Sequence, residues 1–244
     1  MIKFIIGAII MSTSAEAAEK YTLNIDYKDQ PIKVLVNEIP ILIENKVKKG
    51  QSQSSQKDLS PYLVEGENTV SFETGTGKVR VTKAAEGSFP SNNKAELELE
   101  KNISGTFNVP KDILPKLSWH SAPKLSDSDC SKAIEFAQDL KKLIDEKKLE
   151  DILKLHVMDV KNSTVLFPDF PENEVKAFNK EKYEDLFKGG FADPGDFKCH
   201  VQKGGKLINI ASKDSVFFLQ PKSDSYEIYL FLAKNKSGKL EIVF

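Results

Sequence analysis

Residues 21–43, YTLNIDYKDQPIKVLVNEIPILI, decide how this chain is read. Over Tyr21–Tyr27 apolar and polar side chains alternate, which puts Leu23 and Ile25 on one face, as a strand with one buried side requires. Ile32–Val36 and Ile39–Ile43 are short β-branched runs bounded by Pro31, Asn37 and Pro40, the residues that punctuate strands.

The pattern continues outward. Thr69–Phe72, Lys78–Thr82 and Ala95–Leu99 read as further strands, with a turn at Glu65–Asn68. Glu44–Asp58 is polar, carries Gly50 and a Gln/Ser tract, and is expected to be an exposed loop or a frayed edge. Gly75-Thr76-Gly77-Lys78 lacks the glycine spacing of a phosphate loop and reads as a turn. Short strands spaced by turns, without a helix-length pattern, predict an all-β sandwich over residues 18–108. Gly105–Ser126 contains Pro110, Pro115 and Pro123 and reads as a connection, the linker proper being 109–125. Trp119, the single tryptophan, lies in it, where an apolar ring more often seals an interface than binds a ligand.

From residue 126 the period changes. Ser126-Asp127-Ser128-Asp129 offers helix caps, and Ala133, Ile134, Ala137, Leu140, Leu143 and Ile144 recur at helical spacing. A second helix starts at Leu149 and includes Ile152, Leu153 and His156. A third spans Asn173–Lys188, with Val175, Phe178, Leu186 and Phe187 on its apolar side and Gly189-Gly190 as its stop. Strands are expected at Phe197–Gln202, Leu207–Ala211, Val216–Leu219, Tyr226–Ala233 and Leu240–Phe244. Helices followed by an antiparallel meander predict an α+β domain over 126–244.

Two resemblances refine this. Val36-Asn37-Glu38-Ile39-Pro40 followed by Leu59-Ser60-Pro61-Tyr62-Leu63 and Gly66-Glu67-Asn68-Thr69-Val70 resembles the V-N-G-x-P … L-x-P-Y-L-x-x-G-x-N-x-I pattern of immunoglobulin-like and jelly-roll accessory domains in exported bacterial proteins. Glu38 stands where that pattern has glycine, so a turn of another type is expected there. The C-terminal half, above all Tyr226–Lys234 and Ser237–Val243, is similar to the NTF2-like (cystatin-like) superfamily, in which helices pack on a curved antiparallel sheet. That resemblance implies a cone whose enzymes place an acid, a histidine or a tyrosine inside; the matching pocket candidates are His156 and Asp159 at the end of the second helix, Tyr183, Tyr226 and Tyr229.

The N-terminus has the parts of an export signal: Lys3, an apolar run Phe4–Met11, and small residues ending in Ala15-Glu16-Ala17. Residues 1–17 are therefore expected to be cleaved, leaving a soluble periplasmic or secreted protein with no membrane insertion, since the run is far short of the roughly twenty residues a spanning helix needs. The net charge is −1 and Arg80 is the only arginine, which argues against nucleic acid as a partner. Cys130 and Cys199 either pair, as an oxidising compartment favours, or stay apart as buried thiols.

No catalytic, cofactor or metal motif stands out. His120, His156 and His200 have no metal-ligand spacing, and Cys199-His200 on one strand point to opposite faces, so they form no catalytic pair. Lys141-Lys142, Asp145-Glu146 and Lys147-Lys148 make a solvated helix face. The expectation is a non-enzymatic binding or interaction protein, needing no cofactor, whose partner is a protein or a small apolar ligand; the alternative is a ligand-binding or enzymatic cone. An interaction protein would expose an apolar patch, a cone would show convergent polar groups in a cavity, and a carbohydrate module would show aromatics in line on the sandwich.

Overall fold

Tyr21, Leu23, Ile25 and Tyr27 are all buried along β1 (Glu19–Lys28), while Asp26 and Lys28 between and beyond them stay exposed. The computed structural model describes residues 19–28, 31–44, 50, 52–73, 76–85, 95–100, 103–126, 128–222 and 227–244. The expected export signal at 1–17, and Tyr226, lie outside them.

The remaining strands of this part are β2 (Ile32–Val36), β3 (Ile39–Glu44), β4 (Ser52–Asp58), β5 (Gly66–Glu73), β6 (Thr76–Ala85), β7 (Ala95–Glu100) and β8 (Ser104–Val109). They form two four-stranded antiparallel sheets, ordered β4-β1-β6-β7 and β3-β2-β5-β8. Their inward residues, among them Leu23, Val34, Val70, Phe72 and Val81, merge in one buried cluster, so the sheets pack as a sandwich.

Helices α1 (Asp129–Asp145), α2 (Leu149–Leu155), α3 (Val157–Leu166) and α4 (Glu172–Gly189) come next. The antiparallel meander β9 (Lys198–Val201), β10 (Ile208–Ala211), β11 (Phe231–Lys234) and β12 (Leu240–Ile242) completes a β-rich, two-part fold. Alternation along the strands gives this third sheet two apolar faces. Ile208, Ile210 and Leu232 pack with Ala133, Leu140 and Tyr183 of the helices. Phe231, Ala233 and Val243 instead join the cluster that fills the sandwich. The third sheet is thus the layer between helices and sandwich.

The two parts are joined by a polar knot. Asn37 and Asn68 are fully buried, and the Asn37 amide donates to Asn68 Oδ1 at 2.7 Å and to the Tyr62 carbonyl at 3.0 Å. Asn68 in turn donates to the Val64 and Gly66 carbonyls. From the turn after β9, the Lys203 amide donates to the Asn37 carbonyl and Gln202 Nε2 to the Tyr62 carbonyl, both within 2.9 Å. Trp119, 1 % exposed, belongs to the apolar cluster beside this knot.

Several expectations need correction. The polar tract Ser52–Asp58 is a regular strand paired to β1 along its whole length; the Tyr27 hydroxyl to Gln53 (2.6 Å) and Ser54 Oγ to Asp26 (2.6 Å) hold it. Residues 105–109, the start of the stretch Gly105–Ser126 read as a connection, belong to β8 (Ser104–Val109), because Phe107 and Val109 alternate with polar neighbours and close the sandwich. Thr76–Lys78 opens β6 rather than forming a turn, and at Gly77 a Cβ would collide with the Asp26 carbonyl of β1. A helix missing from the sequence reading, α3, follows α2 immediately; its buried Asp159 and Asn162 hide the apolar period. Val216–Leu219 and most of Tyr226–Ala233 are not ladder strands: Leu219 and Ile228 meet in an isolated bridge, and only Phe231–Lys234 pairs regularly. The β2–β3 turn keeps positive φ at both central residues, Asn37 (50°) and Glu38 (72°), the signature of a primed hairpin turn even with glutamate in place of glycine.

Cys130 and Cys199 form a disulfide that ties the first turn of α1 to β9 across 69 residues of sequence. Replacing both by alanine is expected to cost about 4 kcal/mol in a urea titration, from the entropy the closed loop removes from the unfolded chain. Glu38→Gly is expected to stabilise by roughly 0.5–1 kcal/mol, because an exposed glutamate gains nothing from a left-handed backbone; a thermal melt checks it.

Candidate interaction surface

Of the pocket residues expected from sequence, His156, Asp159 and Tyr183 converge. His156 is the residue between α2 and α3, and Asp159 lies in the first turn of α3 rather than at the end of α2. His156 Nδ1 meets Asp159 Oδ2 at 2.7 Å, and His156 Nε2 meets the Tyr183 hydroxyl of α4 at 2.9 Å. Asn179 Nδ2 donates to Asp159 Oδ2 at 2.9 Å, and Ser163 Oγ to Oδ1 at 3.3 Å. A carboxylate only accepts, so Nδ1 carries the proton toward Asp159, which leaves the Nε2 lone pair to accept the tyrosine O–H.

Burial alone would raise the Asp159 carboxyl, but the hydrogen bond from His156, with Lys182 and Asn179, pulls it below its ordinary value. Burial, with the Asp159 charge adding, pushes the Tyr183 phenol far up, so it remains a neutral donor. Burial also lowers the Lys182 ammonium, against the pull of Asp159.

A general base must present a free lone pair to substrate. Here Nε2 is engaged by Tyr183, and His156, Asp159 and Tyr183 are 3 %, 6 % and 0 % exposed. What this arrangement can do is pin three helices together.

The other candidate, Tyr229, is remote from this group. Its ring packs on Phe217 (4.9 Å between centroids) and Phe231, and burial with the Glu227 charge pushes its phenol up to about 12. Among the described residues no group of three or more His, Cys, Asp or Glu side chains is placed to hold a metal ion.

What the helices do present is apolar. Val157, Val165, Phe167, Phe170 and Phe178 are 41–58 % exposed, and all lie on α3, α4 or the turn between them. Val157 and Val165 share one face of α3, two turns apart, and Phe167 meets Phe170 edge-on at 6.5 Å. A shallow groove of about 270 Å³ between α2, α3 and α4 shares Val157 with this set, and Glu150, Lys154, His156 and Lys176 line it beside Leu153, Val160 and Asn179. Phe178, expected on the apolar side of its helix, is exposed instead, because Val175, Asn179 and Tyr183 take the inward positions. The signal sequence reading passed over is Phe167-Pro-Asp-Phe-Pro171, two aromatics in a proline-bounded turn that no core can enclose.

Among the described residues the sandwich offers no counterpart. Tyr21, Tyr27, Phe72 and Phe107 are buried, Tyr62 is half-buried, and Ile103 is the one large apolar residue exposed on that part among the described residues. The outward face of β6 and β7 carries Lys78, Arg80, Glu98 and Glu100 in a salt-bridged patch, with no aromatic row for a sugar ring to stack on.

No family model, curated protein or solved structure matches this chain.

Asp159→Asn is expected to destabilise by about 3 kcal/mol, since it removes the charge that holds His156 and Asn179. The lowered Asp159 pKa means this contribution is present above the unfolded carboxyl value near 3.8 and is lost as pH falls through the lower folded value. Chemical denaturation from pH 7 down to pH 3 should therefore show a smaller acid-side loss in the variant than in the parent.

Proposed function

We propose that this chain is an exported, periplasmic or secreted, binding protein without catalytic activity that docks a protein partner through the apolar surface of α3 and α4. The observation that carries the reading is the concentration of Val157, Val165, Phe167, Phe170 and Phe178 on one helical hairpin, beyond the scattered single residues normal for a surface. The groups that could have served chemistry, His156, Asp159 and Tyr183, spend their hydrogen bonds on one another. Export is supported by the signal-like N-terminus and by a disulfide, which an oxidising compartment preserves.

In finer architectural terms we read the N-terminal part as immunoglobulin-like and the C-terminal part as NTF2-like. Supporting the first are two packed four-stranded sheets and the Asn37/Asn68 turn motif. Supporting the second are helices laid on one face of an antiparallel meander. The partner surface then lies on the helical layer, away from the sandwich.

The test is a pull-down from a native extract with the parent chain and with Phe167→Ser/Phe170→Ser/Phe178→Ser. A partner held by the parent and lost by the variant, at unchanged melting temperature, is the expected result; equal recovery by both would sink the reading. N-terminal sequencing of natively produced protein should begin at Ala18; a start at Met1 would overturn export.

A further inference from the structure

A groove of about 1000 Å³ opens where the sandwich, the connecting segment and the turn after β9 meet. Its walls are largely apolar, with Val64 from the sandwich and Leu114, Pro115 and Leu117 from the connection. Trp119, only 1 % exposed, borders it as a buried residue, with the His120 ring against it at 4.0 Å between centroids. His120 Nε2 donates to the Leu63 carbonyl at 3.1 Å, and burial holds this imidazole below its ordinary pKa, so it is uncharged at neutral pH.

The mouth is cationic on balance: Lys111, Lys116 and Lys206 stand against Glu65 and Asp112. These lysines differ in what they are free to do. Lys206 Nζ is committed to the His120 carbonyl at 2.6 Å, where it braces the connection. Lys111 reaches Glu65 only at 3.7 Å, with its side chain 81 % exposed. Lys116 has no ion-pair partner among the described residues and is exposed at the rim. Two donors of the wall residues, Trp119 Nε1 and Ser118 Oγ, are buried without a hydrogen-bond partner among the described residues.

We propose that this groove is a binding site for an amphipathic organic anion. Its acyl or aryl body lies along Val64, Leu114 and Pro115, and its carboxylate is held by Lys116 and Lys111. The volume is at the upper end of what small-molecule sites enclose, and the meeting of two parts of a fold is where such sites form. A cationic head would meet the lysine rim with like charge, and an uncharged ligand would cover Lys116 without pairing it. A phosphate headgroup lacks the bidentate partner it favours, since no arginine lines the groove. The site is separate from the α3–α4 surface, so each stands or falls alone.

Trp119, the only tryptophan, borders this groove and packs against His120, so its emission responds to a ligand seated there. The mature, disulfide-intact chain is titrated below micellar concentrations with dodecanoate, with dodecyltrimethylammonium as the same tail bearing the opposite head, and with acetate as the head alone. A saturable change with dodecanoate only is expected, weakened at least tenfold by Lys111→Glu/Lys116→Glu and unchanged by Phe170→Ser, with all variants melting like the parent. Absence of a saturable dodecanoate response, an equal response to the ammonium amphiphile, or an undiminished affinity in the charge-reversed variant would each overturn the proposal. Loss of the response in Phe170→Ser alone would overturn it too, by moving the ligand to the helical surface.

Discussion

Two buried asparagine side chains, Asn37 and Asn68, meeting at 2.7 Å, are the constraint from which the rest of the architecture follows. An amide in an apolar interior costs free energy unless each of its donors and acceptors is met. Here they are: Asn68 Oδ1 also accepts from the Val64 amide, and Asn37 Oδ1 accepts from the Thr69 amide. The pair locks the β2–β3 hairpin to the loop entering β5. It also fixes the Tyr62 and Asn37 carbonyls as the acceptors on which Gln202 and Lys203 dock. One knot thus sets both the corner of the sandwich and the seat of the C-terminal sheet, and the strained backbone at Glu38 is tolerated because the knot over-determines it.

A second knot plays the same part among the helices. His156 interrupts the helical run between α2 and α3, yet that break is what aims its ring at Asp159 and Tyr183. With both ring nitrogens engaged, α2, α3 and α4 become one rigid unit. The exposed phenylalanines of α3 and α4 sit on this platform, which would lower the ordering cost of the docking proposed above.

Between these knots lies the connection through Trp119. Ser118 donates its amide to Asn162 of α3, Asn162 donates to the Val243 carbonyl beyond β12, and Lys206 grips the His120 carbonyl. The segment is therefore a wall shared by both parts, and the groove it borders exists only when both are in place. At the opposite extreme stands β4, a strand with no apolar side chain, held to its sheet by backbone pairing and two hydroxyl contacts; it belongs to the least stable end of the molecule.

Strand and helix character were legible wherever side chains alternate against water. Tyr21–Tyr27, Ile32–Val36 and α1 declare themselves because one face is apolar and the period is unbroken, while α4 was legible as a helix but not in which face it buries. The same logic fails for Ser52–Asp58, polar on both faces, and for α3, whose inward face carries Asp159 and Asn162. Sequence alone also named His156, Asp159 and Tyr183, but as pocket groups, because residue type announces capacity for proton transfer and says nothing of who occupies the lone pair. It left Cys130 and Cys199 open, since pairing needs the Cα atoms within reach, here 5.8 Å. Local pattern, then, determined the elements and their composition. Which faces stayed in water, which amides met, and that Phe178 looks outward were decided by packing, because each depends on contacts between residues far apart in the chain.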